Sequence, residues 1–171
     1  SSGWLAALPA ETGVIAGALT RPDGTIWYRH SSAASGWQLR SLTAGAETAH
    51  SRVLLAPPGD TAAPSEPVAD LWVDGAGGRI HTLLARPAGS QPVSGEAHSN
   101  TAVPTVFMIH GGPSSADEDS YDALRAAYLD CGIAVCQVNY RGSTGYGSAW
   151  RDALTDRVGH TELADIAAVQ D

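Results

Sequence analysis

Thr105-Val-Phe-Met-Ile-His-Gly-Gly-Pro113 is the stretch on which the reading of this chain turns. Its apolar run is too short for a helix and rich in β-formers, so it reads as a buried strand running into His110. Gly111 and Gly112 lack a Cβ, which lets the backbone bend sharply and approach a ligand closely. Pro113 removes one backbone donor and fixes the exit direction. A strand ending in bare N–H groups is what an oxyanion hole requires, because acyl transfer develops negative charge that such donors can meet. The same residues also suit a tight strand-to-helix turn with no chemistry, and glycine pairs are common loop punctuation.

Composition narrows the classes around this stretch. The 171 residues suffice for one ordinary domain, or a small domain plus part of another. A 43% hydrophobic content with 16% charged residues suits a folded chain. A formal charge of −8 makes nucleic acid or an anionic membrane an unexpected partner. All ten basic residues are arginine. Without lysine, this chain can supply neither a Schiff base nor a Ser-Lys pair nor a P-loop lysine. Cys131 and Cys136 make neither a disulfide scaffold nor a four-ligand zinc site, and Cys136 reads as a small core residue. Asp117, Glu118 and Asp119 read as helix-terminus charge, with no histidine placed to complete a metal site. No metal or cofactor is expected. No apolar run reaches membrane-spanning length, and the N-terminus does not resemble a signal peptide, so a cytoplasmic location is expected. The absence of an initiator Met and the end at Asp171 suggest a fragment, a processed chain or an incomplete record.

Upstream of the central strand, residues 1–60 read as all-β. Gly13–Leu19, Thr25–His30, Trp37–Leu42 and Arg52–Leu55 are short strands, with Asp23-Gly24 a strong hairpin signal. Their spacing suggests a sandwich or one propeller blade. One blade cannot bury both its faces alone, so in the second case its neighbours lie outside this chain. The proline-rich segment 57–67 is the expected domain boundary. Val68–Val73 and Arg79–Arg86 are two further strands joined by the glycine-rich loop 74–78. Residues 87–104 read as a surface loop.

Downstream the pattern turns to α/β. Ser115-Ala-Asp-Glu118 has capping-box spacing, and Tyr121, Leu124 and Tyr128 share a helical face that ends with Gly132 at C′. Ile133–Val138 is a second buried strand, followed by the loop from Asn139 to Gly147. A helix carrying Trp150 and Leu154 comes next. A last helix, starting at Thr161, places Leu163, Ile166 and Ala167 on one face. Strand, helix, strand, helix predicts a parallel sheet with covering helices.

Taken in order, the His110–Pro113 turn, the Val138-Asn-Tyr-Arg-Gly-Ser-Thr-Gly-Tyr-Gly147 segment and the Gly159-His-Thr-Glu-Leu-Ala-Asp165 stretch resemble the catalytic domain of the prolyl oligopeptidase family of serine peptidases. The acylaminoacyl-peptidase and dipeptidyl-peptidase-like branches are the nearest match. The resemblance covers residues 68–171 well and residues 13–55 loosely. It implies an α/β-hydrolase fold, incomplete in this chain and preceded by β-propeller strands. Residues 1–60 would be the last blade, and residues 61–171 the N-terminal part of the peptidase domain. It also implies a short-peptide or acyl-amino-acid substrate.

In that family the nucleophile sits in a Gly-x-Ser-x-Gly elbow, which this chain lacks, and the triad order is Ser, Asp or Glu, then His. The triad is therefore expected after Asp171 or in a separate chain, and this chain alone is expected to be inactive. Carried over by residue, the backbone N–H of Gly112 is one oxyanion donor, Gly111 gives it room, and His110 orders the turn. Arg141 and Tyr146 either line the substrate cleft or, in the plainer reading, shape the loop, with Arg141 paired to a carboxylate. Asp165 reads as structural. His30, His50, His81 and His98 have no adjacent nucleophile in the sequence and read as structural residues, and His160, after a glycine beside a helix start, reads as a surface or capping residue. Two rival functions stay open. One is an α/β-hydrolase esterase or lipase sharing the turn. The other is a non-catalytic fragment or pseudoenzyme acting as an interaction module. The partners expected are the remainder of the hydrolase domain and, left open, further copies of the chain.

Overall fold

The computed structural model describes residues 12–43, 51–58, 65–90 and 103–171. His50, His98, the N-terminal segment and parts of the 57–67 and 87–104 segments lie outside the described residues. Two compact units are present, Ser1–Ser65 with Asp119–Asp122, and Glu66–Glu118 with Ala123–Asp171.

The first unit is a four-stranded antiparallel sheet in sequence order: β1 (Val14–Thr20), β2 (Thr25–Ser32), β3 (Ser35–Thr43) and β4 (Ser51–Leu55). Asp23 makes the first hairpin by accepting the backbone N–H and the hydroxyl of Thr25 at 2.9 and 2.7 Å. These bonds favour its ionised form and hold its carboxyl below the usual range. The β2–β3 turn is tighter than the 31–36 loop read from sequence, since Ser31, Ser32, Ser35 and Gly36 all belong to strands. Tyr28 and Leu42 are buried, whereas Ile15, Leu19, Val53 and Leu55 on the two edge strands are exposed.

The second unit carries a sheet of order β5-β6-β8-β7, from β5 (Val68–Gly75), β6 (Gly78–Ala85), β7 (Thr105–Met108) and β8 (Ala134–Asn139). Only β7 and β8 are parallel; β5–β6 and β6–β8 run antiparallel. The parallel pairing expected from the strand-helix-strand order is present between β7 and β8, and the β5–β6 hairpin makes the whole sheet mixed. A hairpin joins β5 to β6, which reverses direction, while the β7–β8 connection contains a crossover helix. Every residue of β8 is buried. On one face, Cys136 and Val138 join Ile80, Tyr140 and Leu154 in the core. On the other, α1 (Ala123–Asp130) brings Arg125 to donate to Gln137 Oε1 at 2.7 Å. Two covered faces explain why β8 shows no period-two alternation.

The helices depart from the sequence reading in four ways. The capping box does not form, because α1 begins at Ala123 with no acid in its first turn. The side chains upstream have other partners. Asp117 is held by Gln137 and Asn139, while Asp119 accepts the N–H of Ala33 at 2.8 Å and the N–H of Tyr121 donates to Ser31 Oγ at 3.0 Å. The buried face of α1 carries Arg125 and Leu129, leaving Leu124 exposed. Its C-terminus closes as expected, with Gly132 N–H donating to Leu129 O and Ile133 N–H to Tyr128 O. The Trp150 helix is a single turn, α2 (Ser148–Arg151), continued by a 3-10 turn to Leu154. In α3 (Thr161–Gln170) the buried residues are Thr161 and Asp165, and Leu163 and Ala167 face solvent. Of the expected stripe, Ile166 does pack against the core, and Asp165 is buried beside it because it has a charge partner, described next.

Candidate active site

The turn after β7 stands at the C-terminal end of a parallel strand, where α/β sheets gather their ligands. Gly112 adopts φ +130°, a backbone conformation that L side chains rarely take. Gly111 and Gly112 are exposed. Among the described residues, neither donates its N–H to a protein acceptor. These amides are available to an incoming group.

The β8 loop braces the turn at four points. The hydroxyl of Tyr140 donates to His110 O at 2.7 Å, and its ring stacks on the imidazole at 4.5 Å between centroids. Ser143 Oγ lies 2.9 Å from His110 Nε2. The N–H of Thr144 donates to Ser115 O at 2.8 Å. Gly142, at φ +115°, packs so closely that a Cβ there would lie 2.5 Å from Leu154 and 3.2 Å from Pro113. His110 Nδ1 faces the carbonyl of Gly111 at 3.2 Å, which only a protonated Nδ1 can satisfy. Nε2 is then the acceptor of the neutral ring, and the Ser143 hydroxyl is its donor. Both ring nitrogens are engaged in holding the turn.

Arg141 lies in the same loop. Its Nη2 sits 2.7 Å from Asp165 Oδ1, its Nε 3.0 Å from Oδ2, and its backbone N–H donates to Oδ2 at 2.8 Å. Asp165 is 1% exposed, and its hydrogen bonds raise the Arg141 guanidinium above its ordinary value. This is the carboxylate pairing that was the plainer of the two sequence readings. Trp150 Nε1 donates to Tyr140 O at 2.9 Å and closes the loop from the far side.

Tyr146 also has a protein partner. Its hydroxyl lies 2.6 Å from His81 Nδ1, and His81 Nε2 lies 2.8 Å from Asp70 Oδ1. Burial first, and then the Asp70 carboxylate, pushes the phenol up to about 12, so it keeps its proton and donates. Cross-strand register assembles this group, placing Trp72 opposite His81 and His81 opposite Asn139. Nothing local in the β6 sequence marks His81, because the partners lie 11, 58 and 65 positions away. His160 precedes α3 without a side-chain capping bond and is exposed. His30 Nε2 contacts Thr12 O at 2.9 Å in the first unit.

A mixed sheet with a crossover helix defines an α/β protein with a braced glycine turn at one strand end. Residues 119–171 match the family model of the prolyl oligopeptidase family. A dipeptidyl-peptidase 5 from Trichophyton equinum is 33% identical over 101 residues, 58% of this chain and 13% of that protein. A puromycin-hydrolyzing peptidase from Mycobacterium tuberculosis superposes with a TM-score of 0.66 at 26% identity, over 85% of this chain and 22% of that one. An acylaminoacyl peptidase solved in complex with Z-Gly-Gly-Phe-chloromethyl ketone shares the fold, with a TM-score of 0.72 at 16% identity over 94% and 24% of the two chains. The chain therefore spans about an eighth of the length of the curated relative. Its relatives are peptidases. Among the described residues, no helix is long and apolar enough to cross a membrane.

Proposed function

We propose that this chain forms part of a serine peptidase that hydrolyses short peptides or N-acylated and aminoacyl amides, and that it supplies the oxyanion turn. The observation that carries the reading is Gly112, held at φ +130° with its amide uncommitted. As a serine oxygen adds to the scissile carbonyl, the carbonyl oxygen gains negative charge. The N–H of Gly112 donates to it, while Gly111 leaves room for the oxygen and His110 fixes the turn. The serine, its base, the acid and the second oxyanion donor come from a further segment or chain. In this reading residues 1–60 are the last blade of a β-propeller and residues 61–171 open the α/β-hydrolase domain. The exposed apolar residues on β1 and β4 support a blade that packs against neighbours. We place the protein in the cytoplasm.

The test uses the full-length protein and a fluorophosphonate probe, which labels an activated serine. Labelling together with amidase activity supports the peptidase; absence of both removes it in favour of a non-catalytic module. Gly112→Val is expected to lower kcat by about a hundred- to a thousandfold, the usual effect of losing one oxyanion donor. The effect on KM should be much smaller. An unchanged kcat would overturn the role of Gly112.

A further inference from the structure

We propose that His81 is a positioning residue for the Gly111–Gly112 turn, acting as a neutral imidazole whose Nδ1 ties together the two segments that brace it. The proposal rests on the oxyanion reading above and adds a residue to it.

The argument begins with Asn139, whose amide orientation is determined by its neighbours. The N–H of Asp117 donates to Asn139 Oδ1 at 2.8 Å, so that atom is oxygen. The nitrogen, Nδ2, then donates to Asp117 O at 3.0 Å and to His81 Nδ1 at 3.1 Å. A carboxamide nitrogen cannot accept, so His81 Nδ1 must carry a lone pair and no proton. The hydroxyl of Tyr146 is a second donor to the same atom at 2.6 Å. The ring proton therefore sits on Nε2 and is donated to Asp70 Oδ1 at 2.8 Å. Asp70 sets the tautomer, and the single lone pair of Nδ1 is shared as a bifurcated acceptor between the Tyr146 hydroxyl and the Asn139 amide.

The two donors lead to the two sides of the turn. Through Asn139 the path reaches Asp117, in the segment that leaves Pro113. Through Tyr146 it reaches the loop whose Ser143 and Thr144 hold His110 and Ser115. Packing of Trp72 on the ring, at 4.9 Å between centroids, keeps the imidazole in place.

The substitutions that test this separate hydrogen bonding from packing. Asparagine places its Oδ1 near the position of an imidazole Nδ1, whereas glutamine reaches toward Nε2 and is nearer to histidine in volume. In 15N-labelled protein, His81→Gln and Tyr146→Phe should shift the amide resonances of Gly111, Gly112 and Ser143, while His81→Asn leaves them near their wild-type positions. In the full-length protein, assayed with an aminoacyl 4-nitroanilide, His81→Gln should lower kcat about ten- to a hundredfold with KM little changed, as expected for a misplaced turn. His81→Asn should recover most of that loss. Unmoved amides in both His81→Gln and Tyr146→Phe would overturn the proposal, as would equal shifts for Asn and Gln, which would mark a packing role. Shifted amides with an unchanged kcat would leave His81 as the positioner of the turn and remove the oxyanion reading instead. Because Tyr146→Phe deletes a single oxygen, it keeps the test decisive if the His81 variants fold poorly. A long-range heteronuclear spectrum of His81 should show the Nε2–H tautomer; the Nδ1–H form would refute the proposal directly.

Discussion

The two sheets of this molecule are built on opposite rules. In the first, each strand pairs with its neighbour in sequence, and exposed apolar residues remain on both edge strands. In the second, β8 is inserted between β6 and β7 and is buried throughout, with Arg125 of α1 against one face and Tyr140 and Leu154 packed with Cys136 and Val138 on the other. A sheet made of sequential hairpins needs only local turns and alternation. An inserted strand needs long-range pairing, and that pairing brings polar side chains from distant positions into one place. The braced glycine turn belongs to the second sheet, and four side chains that support it (Asn139, Tyr140, Ser143 and Tyr146) come from the end of β8 or just beyond it.

Breaking the buried ion pair should separate the two sheets most sharply. Asp165→Ala leaves the Arg141 guanidinium facing a vacated site, and removing one partner of such a pair typically costs about 3 kcal/mol or more. Hydrogen exchange should accelerate at β8 and β6 amides, with β2 and β3 amides little affected. Equal acceleration in both sheets would mean that the two units unfold as one. A smaller loss is expected for Gly142→Ala, whose new methyl meets Leu154 and Pro113; overpacking of this kind costs about 1–3 kcal/mol. Thermal unfolding monitored by near-UV tryptophan signals would register it.

The Tyr146 hydroxyl gives a pH-dependent contrast. Its folded value near 12 lies above the ordinary tyrosine value, so the folded state holds the proton more tightly. The resulting stabilisation is fully present below the unfolded value and is lost as pH rises through the folded one. Between about pH 10 and 12, wild type should lose more stability than Tyr146→Phe. Parallel curves would show that this phenol is not held by its surroundings. The smallest effect concerns the two thiols. Cys131 is exposed, while burial pushes the Cys136 thiol up to about 11. Iodoacetamide at neutral pH should modify the folded chain once, at Cys131, with no change in fold. Modification of Cys136 under the same conditions would show that β8 opens.

Much of this arrangement was legible in the residues. The Asp23-Gly24 hairpin and the Gly132 helix end rest on interactions within a few residues of one another, and the strands of the first sheet, β7 and β8 show in their own β-forming residues. The start of α1 was misread for a physical reason. Ser115 to Glu118 carries a capping pattern, but Asn139 and Gln137 claim Asp117, and those contacts outweigh a cap typically contributing about 1 kcal/mol. The inward face of α3 is legible only in part: Ile166 packs against the core as expected, but Asp165 is buried by virtue of Arg141, 24 positions away.

The sequence by itself determined that a β-rich strand ends in His110 and two glycines, and that a glycine-rich loop follows the next buried strand. These are local facts of propensity and steric freedom. Only the tertiary structure decided that Arg141 is spent on Asp165, that Ser143 holds His110, and that His81 meets Asn139 and Tyr146. Each of those pairings depends on strand register and loop path, which no short window of residues contains.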